Sequence, residues 1–427
     1  MTLAELEEIA LQHNPTLVQA EAEIDVDRGF LKQAGLYPNP QGGYYNASAS
    51  NPSVKQSNGI FLSQEIVTAG KLGLAQQSIL QEIKQMEWDR EAQRMRVLND
   101  LKIRYFEVLG AQQAVAIAGK LVTVAGESLE LIERALAAKN ASRPDVLQAK
   151  VQLETARLSL DEAEFRHTAA WEQLAVIVGM PSLQPAPLAG DLMAEIPELN
   201  QETCWQQLLA RSPQLAGSAS QLDHGWAEYR SQRAIAIPNV TVQSVIDYDR
   251  ATQATTASTL IAMPLPIYNR NQGNIDKAAA DIILFQAEIK RVELVLKDQL
   301  ADSFRRYKAT RRQAERLKQS ILPNSEENLR LSKEIYIAGE TNFTTVLTAQ
   351  QSYFQSQLAY VEAVTELNKI VVEIEGLQLT GGLNPPAIGS AIQSTPGGGS
   401  QRQRGLLKSL QDNAQRQLLP AASQIAQ

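Results

Sequence analysis

Side chains that commonly catalyse reactions or bind metals are few and scattered in this chain of 427 residues. The single cysteine, Cys204, excludes an internal disulfide and a metal site built from cysteines. The three histidines, His13, His167 and His224, show no metal-ligand spacing. We find no nucleophile–base pair and no glycine-rich loop for phosphate. The sequence therefore predicts no enzyme, no cofactor and no resident metal.

Charge and hydropathy exclude two further classes. The formal net charge is -7, and acidic and basic residues are interspersed, so no basic face is available for nucleic acid. No apolar run reaches the length of about 18 residues that a membrane helix needs. The nearest run, Ala114 to Ala125, is shorter and contains Lys120. A transmembrane helix is not predicted, although strands that cross a membrane would escape this test.

Short motifs recur at a constant offset along the chain. Asp145-Val146-Leu147-Gln148-Ala149 recurs as Thr345-Val346-Leu347-Thr348-Ala349, and Pro38-Asn39 recurs as Pro238-Asn239, both 200 positions later. Matches that keep their order and their offset indicate a duplicated chain. The predicted boundaries are residues 1–190 for the first repeat, 191–380 for the second, and 381–427 for a tail rich in Pro, Gly and Ser that is typical of a linker.

Each repeat shows the same order of predicted elements: a short amphipathic helix, a second helix, a pair of strands and a long helical hairpin. In the second repeat, Val240, Val242 and Ile246 alternate with polar residues, which predicts a strand with one apolar face. The first repeat offers a weaker pair, with turn signals at Asn51-Pro52 and Asn58-Gly59. The expected ranges are strands at 42–49, 59–66, 239–248 and 258–265, and hairpins at about 71–179 and 274–379.

The hairpins are unusually long. From about Lys71 to Lys139 and from about Asn274 to Ala338 the helical pattern is interrupted only by Pro323. Some 65 to 70 residues at 1.5 Å each give roughly 100 Å. Apolar residues recur in steps of three and four, the narrow seam of a helix that packs on another helix. Each long helix ends at a turn signal, and a return helix reaches about Val178 or Leu379.

Four strands are too few to close a barrel with an open lumen, and an open sheet leaves two edges exposed. Three copies would close a barrel of twelve strands, each about long enough to cross the hydrocarbon layer when tilted. The hairpins would continue the same ring as a cylinder of helices. We therefore predict a mainly α fold with a small β part, assembled as a trimeric 12-stranded β-barrel plus an α-helical barrel.

This duplicated plan resembles the TolC family of outer-membrane efflux proteins, as do the segments Arg143–Ala149 and Tyr336–Ala349. The resemblance covers about residues 2–380, and its most specific element is a Tyr-x-x-Gly turn followed by Val-Leu-x-Ala. It implies a homotrimer with its barrel in outer-membrane lipid and its helical part in the periplasm. A periplasmic adaptor and an inner-membrane pump of the RND or ABC type would dock at the helical tip. Export beyond the inner membrane also leads us to expect a signal peptide upstream of Met1.

The resemblance further implies that the two hairpin turns form the gate and the adaptor contact. Asp145 matches an acidic position of the tip, and Tyr336 a tyrosine that helps to hold it closed. Thr345 and Thr348 replace two acidic pore positions of the family's best-known member, and Thr341 replaces its gate arginine. The residues expected at the tip are Asn140, Ser142, Arg143, Asp145, Tyr336, Gly339, Glu340, Thr341, Asn342, Thr345 and Thr348.

Plainer readings of the same residues stay open. A carboxylate at Asp145, just after Pro144, suits the start of any helix, and Gly339 suits a helix C-terminus. A soluble coiled-coil scaffold or adaptor would explain the helices but would leave the two strand pairs unexplained. We therefore predict an exit duct for passive transport from periplasm to exterior, with metal ions, drugs and secreted proteins as open alternatives for its cargo.

Overall fold

The computed structural model describes residues 1–47, 57–138, 141–193, 197–250 and 252–385. Residues Met1–Asn384 form one unit. The predicted turn at Asn51-Pro52 lies outside the described residues, as does the predicted tail from residue 386 onward.

Both halves of the described chain show a short helix, a second helix, a strand pair and a long helical hairpin in the same order, which confirms the predicted mainly α fold with a small β part. The first repeat comprises α1 (Leu3–His13), α2 (Pro15–Ala34), β1 (Gln41–Ala47), β2 (Ser57–Ile66), α3 (Lys71–Ala137) and α4 (Arg143–Val178). The second comprises α5 (Gln201–Arg211), α6 (Pro213–Ile235), β3 (Val240–Asp249), β4 (Ala254–Ala262), α7 (Gln272–Arg316), α8 (Leu322–Ile337) and α9 (Phe343–Glu375). A π-helical turn, Leu317–Ile321, joins α7 to α8.

Local sequence sets the helix boundaries in both repeats alike. Asn14 accepts a hydrogen bond from the Thr16 N–H and caps α2, whose first residue is a proline. Ser212 caps α6 in the same way, again directly before a proline. A short polar side chain satisfies a free N–H of the first turn, and proline at the first position loses no hydrogen bond there. Because the cap recurs in both repeats, the first helix ends and the second helix begins at the same point of each repeat.

The four strands form one antiparallel sheet in the order β1-β2-β3-β4. The expectation of a turn at Asn58-Gly59 is wrong, because both residues belong to β2 and Gly59 pairs with Tyr45 and with Asp247. A Cβ atom at Gly59 would lie 2.8 Å from the Ile246 carbonyl oxygen. This glycine therefore permits close approach of neighbouring strands instead of making a turn.

Strand β4 is also displaced from its predicted range of 258–265. It begins at Ala254 and ends at Ala262, before Pro264 and Pro266. Proline has no N–H to give to the neighbouring strand, so two prolines terminate the pairing. The strand starts earlier because Thr255 and Thr256 pair with β3 directly after the turn.

The two faces of the sheet differ in chemistry. Residues paired across antiparallel strands point to the same face, so Ile60 lies beside Ile246 and Val242 beside Ile261. This face is apolar and open: Ile60 is 59% exposed and Ile246 53%. The opposite face carries Asp247, which accepts a hydrogen bond from the Thr256 hydroxyl at 2.6 Å. The alternation predicted from β3 thus extends across the sheet.

The hydrophobic core lies where the short helices meet the middle of the long ones, around Leu101, Trp171, Phe304 and Leu367. Helix α3 contains a stretch of mean hydropathy 1.4 that could cross a membrane by length and composition alone. The search for unbroken apolar runs missed it, because polar residues interrupt that stretch. Within the structure 33% of that stretch is buried, and α3 also contributes Leu101 and neighbouring residues to the core.

Candidate functional site at the helical tip

The two hairpin turns lie together at one end of the molecule. A small buried cluster, here called the tip cluster, unites side chains of α3, α4 and α9 next to the two turns; its members are Ile132, Val146, Ala149, Phe343, Val346 and Leu347. The Thr344 hydroxyl also donates a hydrogen bond to the Gln148 side-chain oxygen at 3.4 Å, from α9 to α4. The duplicated Val-Leu-x-Ala motif therefore packs against its own copy. Of the residues expected here, Asn140 lies outside the described part of the chain.

Ser142 and Asp145 form a reciprocal cap at the start of α4. The Ser142 N–H donates to the Asp145 carboxylate at 2.9 Å, and the Ser142 hydroxyl donates to it at 2.6 Å. The Asp145 N–H in turn donates to the Ser142 hydroxyl at 3.4 Å. These hydrogen bonds from Ser142 lower the pKa of Asp145. Asp145 is thus an ionised helix cap within its own chain, and the neighbouring Arg143 is exposed.

The second turn ends α8 and begins α9. Gly339 has a positive φ of 79°, and its N–H donates to the Tyr336 carbonyl while the Glu340 N–H donates to that of Ile335. This pattern closes a helix C-terminus and favours glycine at the left-handed position. Glu340 is exposed to solvent.

Asn342 is the N-cap of α9, 200 positions after Ser142. Its side-chain oxygen accepts hydrogen bonds from the Thr345 N–H at 3.1 Å and the Thr345 hydroxyl at 3.0 Å. The Thr341 hydroxyl donates to that of Thr345, and the Thr348 hydroxyl donates to the Thr344 carbonyl. Neutral hydroxyls at Thr341, Thr345 and Thr348 are therefore engaged locally.

Tyr336 holds the second turn against the tip cluster. Its ring centroid lies 5.8 Å from that of Phe343, with a tilt of 55° between the planes. Burial raises the pKa of Tyr336, and the charge of Asp145 raises it further. The two residues that the resemblance singled out are therefore near enough to interact electrostatically within one chain. Their role in a gate between chains stays a prediction.

Sequence reasoning missed the contact of Thr344 with Gln148. The signal was available, since Gln148 lies within the repeated motif and Thr344 directly precedes the second copy of that motif. Over the described residues, no group of three or more His, Cys, Asp or Glu side chains could hold a metal ion. The tip therefore consists of two capped turns at the ends of long helices, and the tip cluster packs these turns together.

A duplicated chain with strand pairs and long hairpins defines a class of protein, and comparison identifies it. The family model described as outer membrane efflux protein matches residues 6–180 and 204–378. The chain belongs to the outer membrane efflux protein family, as the motif resemblance indicated.

Relatives match along most of their length. The chain is 27% identical over 389 residues to the cobalt-zinc-cadmium resistance protein CzcC of Cupriavidus metallidurans, covering 87% of this chain and 90% of that protein. It is 23% identical over 403 residues to the outer membrane protein OprJ of Pseudomonas aeruginosa, covering 87% and 82%.

Solved structures share the fold. The outer-membrane channel OprN superimposes with a TM-score of 0.74 at 19% identity, covering 89% of this chain and 90% of that one. CusC gives a TM-score of 0.74 at 18% identity, covering 89% and 92%. VceC of Vibrio cholerae gives 0.69 at 18%, covering 88% and 96%.

Proposed function

We propose that three copies of this chain form an exit duct in the outer membrane, which carries small solutes passively from the periplasm to the exterior. The observation that carries the proposal is the four-stranded sheet with an exposed apolar face, attached to helical hairpins. A soluble protein rarely leaves such a face open to water. A membrane-spanning barrel needs that face for lipid and needs both outer strands, β1 and β4, to pair with neighbouring copies.

In this arrangement the exposed face of the sheet lies against outer-membrane lipid. Val240, Val242, Ile246 and Tyr248 share that face by alternation along β3. Thr241, Gln243 and Asp247 share the opposite face, which borders the water-filled lumen. Alternating apolar-outward and polar-inward residues are the pattern of strands in such barrels.

The hairpins extend the duct into the periplasm, with the tip as its inner end. There the turns of neighbouring chains meet, and a periplasmic adaptor docks to connect the duct to an inner-membrane pump. The local caps at Ser142 and Asn342 fix the shape of each turn without contacts from other chains. Adaptor binding can then separate neighbouring hairpins without unfolding either turn. The exposed side chains at Arg143 and Glu340 are available for such contacts.

The proposed cargo includes divalent transition-metal ions. The name of CzcC describes resistance to cobalt, zinc and cadmium, and that protein matches this chain over most of both lengths. We assign the ions the role of transported substrate, with no resident site and no catalytic step. The duct itself supplies no energy, because the pump drives transport.

Detergent dependence and mass test the duct against a soluble scaffold. The duct predicts that the full chain is recovered with membranes, needs detergent to stay in solution, and has a protein mass three times the 46.9 kDa of one chain. Protein that stays monomeric and soluble without detergent would contradict the proposal and favour the scaffold.

A further inference from the structure

Between the core and the tip, the long helices of one chain stand side by side in a row. Helix α4 packs on α3, α3 packs on α9, and α9 packs on α7 and α8. Helix α4 therefore lies at one end of this row, and α7 with α8 lies at the other. In the ring of three copies proposed above, these two ends meet at each boundary between copies.

The side of α4 opposite its buried alanines carries an exposed stripe that mixes apolar residues with carboxylates. Its members recur in steps of three, four and seven residues and so share one side of the helix; they are Leu147, Val151, Glu154, Leu158, Asp161, Phe165 and Glu172. Leu158 is 68% exposed and Phe165 74%, which is typical of an interaction surface. Within the part of the chain that the structure describes, Asp161 and Glu172 form no ion pair, unlike Glu154.

Helix α7, at the other end of the row, is basic. Residues 305–318 contain seven Lys and Arg residues and one carboxylate. Arg305, Arg312 and Arg316 are exposed and follow one another after seven and four positions, so they share one side of the helix. Arg306 binds a carboxylate of α9, but Arg312 and Arg316 have no ion pair among the described residues. This side of α7 therefore carries positive charge that its own chain does not neutralise.

The contact between the two repeats indicates the level at which α4 and α7 of neighbouring copies meet. Within the chain, α3 meets α9, and the ion pair between Glu107 and Lys369 at 2.9 Å marks their common level. Moved by the 200 positions of the repeat, these two residues correspond to Tyr307 of α7 and Ala169 of α4.

The unpaired charges lie at matching heights when both helices are followed from that level towards the tip. Asp161 lies eight residues from Ala169 along α4, while Arg312 and Arg316 lie five and nine residues from Tyr307 along α7. Because both helices rise by the same distance per residue, Asp161 falls between the two arginines.

We propose that neighbouring copies recognise one another through a charged seam, in which Asp161 on α4 of one copy lies between Arg312 and Arg316 on α7 of the next. This inference rests on the proposed function, because it requires copies arranged in a ring. Opposite charges favour the contact of α4 with α7, whereas α4 against α4 would bring carboxylates together. A contact between two unlike surfaces closes a ring, whereas a two-fold dimer needs the same surface on both copies. The charged seam therefore selects the ring over the dimer.

Charge reversal tests the charged seam in full-length protein purified in detergent. Asp161→Arg places a positive charge between two arginines, so the ratio of trimer to monomer should fall at least about tenfold. The double variant Arg312→Glu/Arg316→Glu should have the same effect, because it surrounds Asp161 with carboxylates. Combining all three substitutions restores opposite charges and should restore the trimer.

Glu127→Arg is the matched control for these variants. Glu127 is exposed and lies on α3, which has helices of its own chain on both sides, so its reversal should leave the trimer intact. If Asp161→Arg is as trimeric as Glu127→Arg, the charged seam is refuted. A wild-type chain that is itself monomeric would instead contradict the proposed function.

Crosslinking tests the same contact without altering its charges. Ala169 and Ala309 are exposed and lie near the common level of α4 and α7. In a Cys204→Ser background, a chain with both Ala169→Cys and Ala309→Cys should form covalent dimers and trimers with a short thiol crosslinker. Ala169→Cys alone should stay uncrosslinked, because α4 does not meet α4. Crosslinking by Ala169→Cys alone, or none by the double variant in intact trimers, would overturn the charged seam.

Discussion

At the scale of single residues, helix caps fix both turns of the tip. The carboxylate of Asp145 is bound to Ser142 within its own chain, and Thr345 is bound to Asn342. The sequence predicted that these residues lie at the turns, because Pro144 and Gly339 mark helix ends. It could not predict whether Asp145 caps a helix or faces a pore, since both uses suit a carboxylate at a helix start.

Closure of the tip should depend on the ring of Tyr336 more than on its hydroxyl. The ring packs on Phe343. We expect Tyr336→Ala to lose about 1 kcal/mol of packing and to raise the open population several-fold, with the trimer intact. Tyr336→Phe keeps the ring and should open as rarely as the wild type. Single-channel recording distinguishes the two variants; equal opening in Tyr336→Ala and Tyr336→Phe would argue against a packing role.

Stability should change with pH because of Asp27 on α2. Asp27 is 7% exposed, and burial raises its pKa to about 6, with Glu82 and Glu23 adding to the increase and His224 opposing it. The unfolded chain ionises this carboxyl at lower pH than the folded chain does. The folded state therefore loses stability as pH rises from about 4 to about 6, and the loss levels off above that.

Asp27→Asn should remove the part of this pH dependence that Asp27 contributes, while the part from Asp89, whose pKa burial also raises to about 6, stays. Above pH 6 we expect the variant to be more stable than the wild type by about 2 kcal/mol, with the difference vanishing near pH 4. The exposed Asp223→Asn is the control and should follow the wild type at every pH. Thermal unfolding across this range is the measurement. If the difference in stability between the wild type and Asp27→Asn stays constant with pH, Asp27 is not the titrating group.

At the scale of elements, alternation and helical spacing predicted most of the fold. The strand β3 and the hairpins were recognisable because their periods are regular over long segments. Two features escaped. An Asn-Gly pair is typical of a turn, so the sequence indicated a turn at Gly59. The residue is a glycine for another reason: a Cβ atom there would lie too close to β3, which is far away in the sequence. The π-helical turn before Pro323 was also not predicted. The spacing of apolar residues does not show how the backbone of a helix adjusts to a proline.

The exposed face of the sheet gives a prediction at this scale. Ile246→Arg should destabilise the assembled barrel by about 2–4 kcal/mol if the residue lies near mid-bilayer, because the charge would enter hydrocarbon. Gln243→Arg, on the opposite face of the same strand, should be tolerated. The measurement is the fraction of membrane-inserted trimer for each variant. Equal insertion of both would contradict the assignment of the faces.

At the scale of the whole molecule, duplication explains how one chain would supply a segment of the proposed closed wall. Each repeat contributes two strands and one hairpin, and the Val-Leu-x-Ala motifs of the two repeats pack together in the tip cluster. The assignment of residues 1–190 and 191–380 as separate repeats stays a prediction. Closure of the ring was inferred from the exposed edges and faces, since one chain alone cannot satisfy them.

The conductance of purified trimers in a planar lipid bilayer is the most direct test of the duct. Full-length trimers should insert and give discrete current steps, and Zn²⁺ as the only cation should still carry current. A metal-selective pump would then lie upstream of a permissive channel. The proposed duct is contradicted if trimers insert stably into the bilayer but pass no current. This must hold for the wild type and also for a variant that opens the tip, such as Tyr336→Ala.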